Sequence, residues 1–250
     1  MSGALPADAS EGALLGGRVR LRQPVTGYRV AIDPVFLAAA VPAIFGDRAL
    51  DVGCGVGAAA LCLATRVAQC RVTGIERDRE LVRLGNDNVA LNGLGGRVTV
   101  MAGDLLAPPP KLAPGGFDHV LANPPHLAQG TATPPPDPAR AAAHVESEAD
   151  LAAWVRFLLT MVRPKGSITL IHRADRLDAV LAQLSGRAGE IVVFPLWPGA
   201  GKPAKRVIVR ARKDIATPTR LSPGLILHEP DGHYTAAAEE VLREGKGLTL

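Results

Sequence analysis

Cysteine is scarce in this sequence: three residues among 250, namely Cys54, Cys62 and Cys70. Their spacing is not that of a zinc site and no histidines gather beside them, so no metal is expected. An odd number of thiols excludes a simple disulfide framework and fits reduced side chains packed around the neighbouring glycines. Long apolar runs are missing as well. No stretch reaches the roughly 18 residues needed to cross a bilayer. The longest candidate, 35–45, is interrupted by Pro42 and reads as a buried helix. The first fifteen residues lack a basic start followed by an apolar stretch, so they read as a small-residue, acid-containing tail and not as a signal peptide. These absences together lead to the expectation of a cytoplasmic protein.

What is present is the composition of a globular protein, 47% hydrophobic and 21% charged. A chain of 250 residues suffices for one sizeable domain with small additions. The net charge of +4 and pI near 9.2 are compatible with a polyanionic partner without requiring one. Short β-rich runs at 49–52, 71–76, 98–101, 118–122, 167–171, 191–195 and 206–211 alternate with helical patterns at 57–67, 78–91, 148–162 and 176–184. Strands alternating with helices predict an α/β fold, its mostly parallel sheet covered by helices on both faces. The last two strands are joined by a loop, 197–204, without a helix, so an antiparallel final strand is expected. Two proline-rich loops, 107–116 and 129–137, exclude helix. The first reads as a connector, the second as a substrate-facing lid or a solvated linker.

The segment Ala49-Leu50-Asp51-Val52-Gly53-Cys54-Gly55-Val56-Gly57 passes from a strand into a helix. Glycines at alternate positions let the chain turn sharply and let a ligand approach where a Cβ would collide. A helix N-terminus with unpaired N–H groups follows. Glu76, at the end of the next strand, stands where a carboxylate accepts hydrogen bonds from both ribose hydroxyls. A dinucleotide site shares this logic, and the spacing also satisfies GxGxxA through Ala58. Three features select S-adenosylmethionine instead. Asp51 is placed to engage an ammonium group. Asp104, after the third strand, is placed to accept from an adenine amino group, although an acid there is ordinarily a turn residue. The fourth strand, finally, ends in Asn123-Pro124-Pro125-His126.

That tetrapeptide resembles the (N/D/S)-P-P-(Y/F/W/H) motif of amino-methyltransferases. The resemblance implies a Rossmann-like class I methyltransferase with a seven-stranded sheet, and a specific chemistry. The Asn123 side-chain oxygen and the Pro124 carbonyl would accept hydrogen bonds from a planar NH2 group, turning its lone pair toward the sulfonium methyl. Positioning and electrostatics would then do most of the catalysis. The fourth residue normally offers an aromatic face on which the substrate stacks. His126 is planar but smaller and can be charged.

Residues 14–42, LLGGRVRLRQPVTGYRVAIDPVFLAAAVP, and the closing segment 225–241 resemble the two ends of the bacterial tRNA (adenine-N6) methyltransferase family that acts on A37 of a valine tRNA. With the central motifs the resemblance spans most of 14–241, and it implies that Asp33 joins the cofactor site. Arg18, Arg20 and Arg22 alternate, so one strand face would present all three. Lys202, Lys205 and Arg206, with Arg210 and Arg212, form a second basic group. Either group can contact phosphates or be a solvated face. Tyr28 is placed to stack on a base or to pack on the core.

The expected organisation is a flexible tail (1–15) and one methyltransferase domain, divided into a β element and helix (16–45), a cofactor-binding core (46–213) and a C-terminal extension (214–250). Methyl transfer to N6 of adenine in tRNA is the expected activity. A protein glutamine-N5 methyltransferase shares Asn-Pro-Pro, yet those enzymes carry an N-terminal helical domain for which the residues before the first sheet strand are too few. A cofactor-binding protein with weak or lost catalysis, suggested by His126, is the third reading.

Overall fold

The computed structural model describes residues 9–26, 29–124, 127–128, 145–146 and 148–250. The chain opens with an antiparallel hairpin, β1 (Ala9–Leu14) and β2 (Val19–Pro24). Then come α1 (Asp33–Ala40), β3 (Arg48–Val52), α2 (Ala58–Arg66), β4 (Arg71–Glu76), α3 (Arg79–Leu91), β5 (Val98–Ala102) and β6 (Phe117–Ala122). A short pair, β7 (Leu127–Ala128) and β8 (Val145–Glu146), precedes α4 (Glu148–Met161), β9 (Val162–Arg173), α5 (Leu177–Leu184), β10 (Ala188–Trp197) and β11 (Arg206–Lys213). β12 (Arg220–Leu221), β13 (Leu225–Ile226) and α6 (Ala236–Leu242) end the order.

Among the described residues the main sheet has the order β12-β10-β11-β9-β6-β3-β4-β5, with β13 also on β10. β9, β6, β3, β4 and β5 are mutually parallel, and β11 runs antiparallel to both its neighbours. The seven expected runs are the seven long strands, and the helix-free connection at 197–204 does reverse the chain. Alternation along the strands feeds two cores. Ala49 points to the side covered by the hairpin, α1, α2, α3 and α6, whereas Leu50 and Val52 point to the side covered by α4 and α5. α2, AAALCLATR, is apolar all round and correspondingly buried. α3 starts where the Asp78 carboxylate accepts from the Glu80 and Leu81 N–H groups, at 2.8 and 3.2 Å.

The N-terminus departs from expectation. Residues 9–14, assigned to a tail, form β1, and Ala9 is buried. The stretch pairs along its whole length with β2, and its acid is engaged there: Glu11 pairs with Arg20 at 2.6 Å and with Arg22 at 3.4 Å across the hairpin. The hairpin is then fixed to α3 by two asparagines one turn apart. Asn88 Oδ1 accepts from Arg22 N–H at 2.7 Å while its Nδ2 donates to Arg22 C=O at 2.9 Å and to Val56 C=O at 3.0 Å. Asn92 repeats the clamp on Arg20, at 2.8 and 2.7 Å. Two side-chain amides thus do for the backbone of β2 what a neighbouring strand would do.

The N-terminal edge of the sheet is pinned separately. His119 at the head of β6 lies 2.8 Å from Ser167 Oγ of β9 and 2.9 Å from Asp47 Oδ2 ahead of β3. Burial pushes this imidazole down from its ordinary value. The three cysteines are free and buried; burial pushes the thiols of Cys62 and Cys70 up to about 12 and about 11, so they stay protonated.

Candidate active site

The C-terminal ends of β3, β4, β5 and β6 lie side by side, and the predicted cofactor residues other than Asp33 are gathered there. Pairing of Val52 with Ile75 and with Ala122 puts Gly53, Glu76 and Asn123 one residue beyond the register on three adjacent strands. Such an edge is where open α/β sheets bind ligands. Gly53, Gly55 and Gly57 all occupy the left-handed region, with φ of 66°, 55° and 83°. Gly53 is needed for space as well: a Cβ there would lie 2.4 Å from Cη2 of Trp154 on α4. Gly57 caps α2, whose N–H groups face the loop.

Glu76 organises the loop while keeping capacity for a ligand. Its Oε2 accepts from Gly55 N–H and its Oε1 from Asp78 N–H, both at 2.9 Å. A carboxylate has about four lone-pair sites, so two remain for ribose hydroxyls. Asp51 is buried, and its Oδ2 accepts from Ala60 N–H of α2 at 3.1 Å. It therefore caps the helix as well as facing the loop. Burial pushes its carboxyl up to about 7, partly offset by that hydrogen bond. A buried acid with one hydrogen bond fits a cationic group of a ligand. Asp104 closes a turn, its Oδ1 accepting from Leu106 N–H at 2.9 Å, so the ordinary role of such an acid is realised there, with the free Oδ2 best placed to accept from a further donor.

Asn123 is the decisive residue. Its Oδ1 is buried and has no hydrogen-bond partner among the described residues. A buried amide oxygen without a donor costs about 1–3 kcal/mol, and a substrate NH2 group would remove that cost. Pro124 follows it, also buried; Pro125 and His126 lie outside the described residues, as do the 129–137 loop and Tyr28.

Comparison with known proteins identifies the family. Residues 30–135 match the model of the methyltransferase small domain. A tRNA1(Val) (adenine(37)-N6)-methyltransferase of Aeromonas hydrophila is 30% identical over 214 residues, covering 83% of this chain and 85% of that protein. The chain belongs to the tRNA1(Val) (adenine(37)-N6)-methyltransferase family. The rRNA N(6)-adenosine-methyltransferase metl-5 of Caenorhabditis elegans is 26% identical over 164 residues, 66% of this chain and 69% of that one. Among solved structures, a predicted O-methyltransferase from Agrobacterium tumefaciens superimposes with a TM-score of 0.72 at 23% identity, covering 87% of this chain and 98% of the other. At that identity the likeness concerns the class I fold alone. The protein is thus an S-adenosylmethionine-dependent methyltransferase, and the glycine loop, Asp51 and Glu76 suit the ammonium and ribose of that cofactor. When bound, S-adenosylmethionine supplies an electrophilic methyl on a sulfonium.

The other predicted residues of this methyltransferase are distributed unevenly. Asp33 and Arg206, assigned to cofactor and substrate, are joined to each other: Arg206 Nε donates to Asp33 Oδ2 at 2.8 Å. Arg18 lies outside β2, and its guanidinium donates to the Leu15 and Arg243 carbonyls. Arg20 and Arg22 share one face as alternation predicts, but Glu11 sits between them and Arg22 is buried. Arg210 reaches the Ala40 carbonyl at 3.4 Å, and Arg212 pairs with Glu190 at 3.0 Å. Lys202 and Lys205 are exposed, without an ion-pair partner among the described residues, in the loop that enters β11 on the catalytic edge. Trp154 and the Asn88 clamp escaped the sequence reading. The spacing of Asn88 and Asn92 was the available signal for the clamp; nothing local marks Trp154.

Proposed function

We propose that this enzyme methylates N6 of an adenine in tRNA, in the cytoplasm. The observation that carries the reading is the buried, unpartnered Oδ1 of Asn123, set beside the glycine loop and Glu76 at one sheet edge. In this reading Asn123 Oδ1 and the Pro124 carbonyl accept the two N–H bonds of the amino group and aim its lone pair at the methyl, so the protein supplies orientation and no strong base. Asp51 holds the cofactor ammonium, Glu76 its ribose and Asp104 its adenine. His126 would stack on the target base, and Lys202 and Lys205 would lie along RNA phosphates. The adenine-N6 names of the relatives in tRNA and rRNA support a nucleic-acid amine over a protein glutamine. Flipping costs least for a base in a loop, where stacking is already incomplete.

The test is transfer of label from methyl-labelled S-adenosylmethionine to tRNA from a strain lacking this gene, with nucleosides resolved by mass spectrometry. N6-methyladenosine is the expected product. Label in protein glutamine, or none in either pool, would overturn the assignment.

A further inference from the structure

A concavity opens on the same sheet edge as Asn123, in a part of the molecule that the methyl-transfer chemistry does not use. Its volume is about 820 Å³, and it is walled by Trp197, Lys202, Pro203, Leu225 and Ile226. β10 is parallel to β9 and β6 through the antiparallel β11, so Trp197, its last residue, emerges on the catalytic side. The wall is built rigidly. Trp197 Nε1 donates to the Pro223 carbonyl at 2.9 Å, and the backbones of Trp197 and Ile226 are paired between β10 and β13. Gly224, with φ of 79°, permits the approach, since a Cβ there would lie 2.2 Å from the Pro195 carbonyl oxygen. The indole is thus held in place at an opening whose lining is mostly apolar, with Ile226 41% exposed. An apolar slot of this size with an aromatic wall and few polar groups is the ordinary form of a small-ligand site.

Charge and distance identify the occupant. Lys202 belongs to the lining itself, Lys205 is exposed three residues further along the same loop, and the loop then enters β11. A planar uncharged group between cationic side chains matches a nucleobase attached to its phosphates, since every base offers a face for stacking and every linkage offers a negative charge. β6 and β10 are separated by β9 and β11, a gap of about 14 Å at ~4.8 Å per strand step. At ~3.4 Å per stacked nucleotide, and more when splayed, about two to four nucleotides bridge it.

Resting on the RNA reading above, we infer that the Trp197–Ile226 concavity holds one unpaired base of the substrate strand, two to four nucleotides from the methylated adenine, while Lys202 contacts a neighbouring phosphate. The slot gives the enzyme a second point of register on the RNA. The target base is then selected by its distance from an anchored neighbour as well as by its own amino group.

The experiment is an abasic scan of a tRNA stem-loop substrate, one missing base at a time within four nucleotides of the target, using native enzyme and the Ile226→Glu variant. One abasic position is expected to raise KM of the native enzyme about tenfold, within the range for one base–aromatic contact. Ile226→Glu should raise KM about as much on intact RNA and be insensitive to that same abasic site, while its thermal midpoint and affinity for S-adenosylmethionine match the native values. A flat scan, or an Ile226→Glu variant with native KM, would overturn the inference. The scan of native enzyme needs no variant, so a misfolded variant does not rescue the idea. Intact RNA that accepts label in a flat scan sinks the slot alone; intact RNA that accepts none sinks the RNA reading and the slot together.

Discussion

Arg206 Nε donates to Asp33 Oδ2 at 2.8 Å, joining the start of β11 to the first turn of α1 across most of the chain length. The guanidinium is 33% and the carboxylate 14% exposed, so the pair is neither a surface ion pair of negligible worth nor a fully buried one. Asp33→Ala should destabilise the fold by about 1–3 kcal/mol, the usual range for a part-buried group left without its partner, read as a drop in thermal midpoint. Arg206→Ala should lower the midpoint similarly. If Arg206 serves the fold, Asp33→Ala, which releases it, will not reduce RNA affinity; a loss equal to that of Arg206→Ala would place both residues in substrate binding.

Asn123→Ala removes the buried acceptor that has no donor among the described residues. Transfer should fall by at least about 100-fold, the size of effect seen when a positioned hydrogen-bonding group is taken from a reacting centre. Affinity for S-adenosylmethionine should stay within about twofold if, as proposed, the ammonium and ribose contacts belong to Asp51 and Glu76. Calorimetric titration and single-turnover labelling separate the two. Lost cofactor binding with intact folding would move Asn123 out of its assigned role.

Each part of this site was legible to the extent that it is local. Glycines at 53, 55 and 57, an acid at the end of the following strand and Asn-Pro-Pro after β6 are motifs in consecutive residues, and strand periodicity places their ends on one edge. Pairs that depend on tertiary closure were not readable. Nothing near Asp33 announces Arg206, and nothing near Gly53 announces that Trp154 will press on it. The first strand was missed for a related reason. ASEGAL has too few β-branched residues to read as a strand, and its partner β2, with Arg20 and Arg22 facing Glu11, is supplied by the chain's return across the hairpin.

The Asn88 clamp predicts an asymmetry between two chemically identical residues. Asn88 is fully buried and carries three hydrogen bonds to the Arg22 and Val56 backbone. Asn88→Ala would leave several buried backbone groups unpaired, at about 1–3 kcal/mol for each group that water cannot reach. Asn92 is only half-buried, so water can replace its amide, and Asn92→Ala should cost about 1 kcal/mol or less. Chemical denaturation of the two variants measures the difference. Equal effects would show that the hairpin does not depend on the buried clamp. Because Asn88 also holds the Val56 carbonyl, its loss should weaken cofactor binding, whereas loss of Asn92 should not.

The proposed role of Asp51 predicts a cofactor site sensitive to pH near neutrality. Burial raises its carboxyl from 3.8 to about 7, so between about pH 4 and 7 the unfolded chain has released a proton that the folded protein retains. Stability of the cofactor-free protein therefore declines as pH rises through that window, on the order of a few kcal/mol in total, and levels off above about 7. Cofactor affinity should move the other way. If Asp51 holds the cofactor ammonium as proposed, it does so as the ionised carboxylate, so binding should tighten as pH rises from about 6 to 8 and release a proton near the lower limit. Titration calorimetry in two buffers of different ionisation heat measures that proton directly. Asp51→Asn is the control, because the ammonium of the cofactor also titrates near this range. In the variant affinity should be lower and the proton attributable to the protein should vanish. Equal proton release from both proteins would mean that Asp51 is already ionised before the cofactor arrives, and that its Ala60 hydrogen bond outweighs its burial.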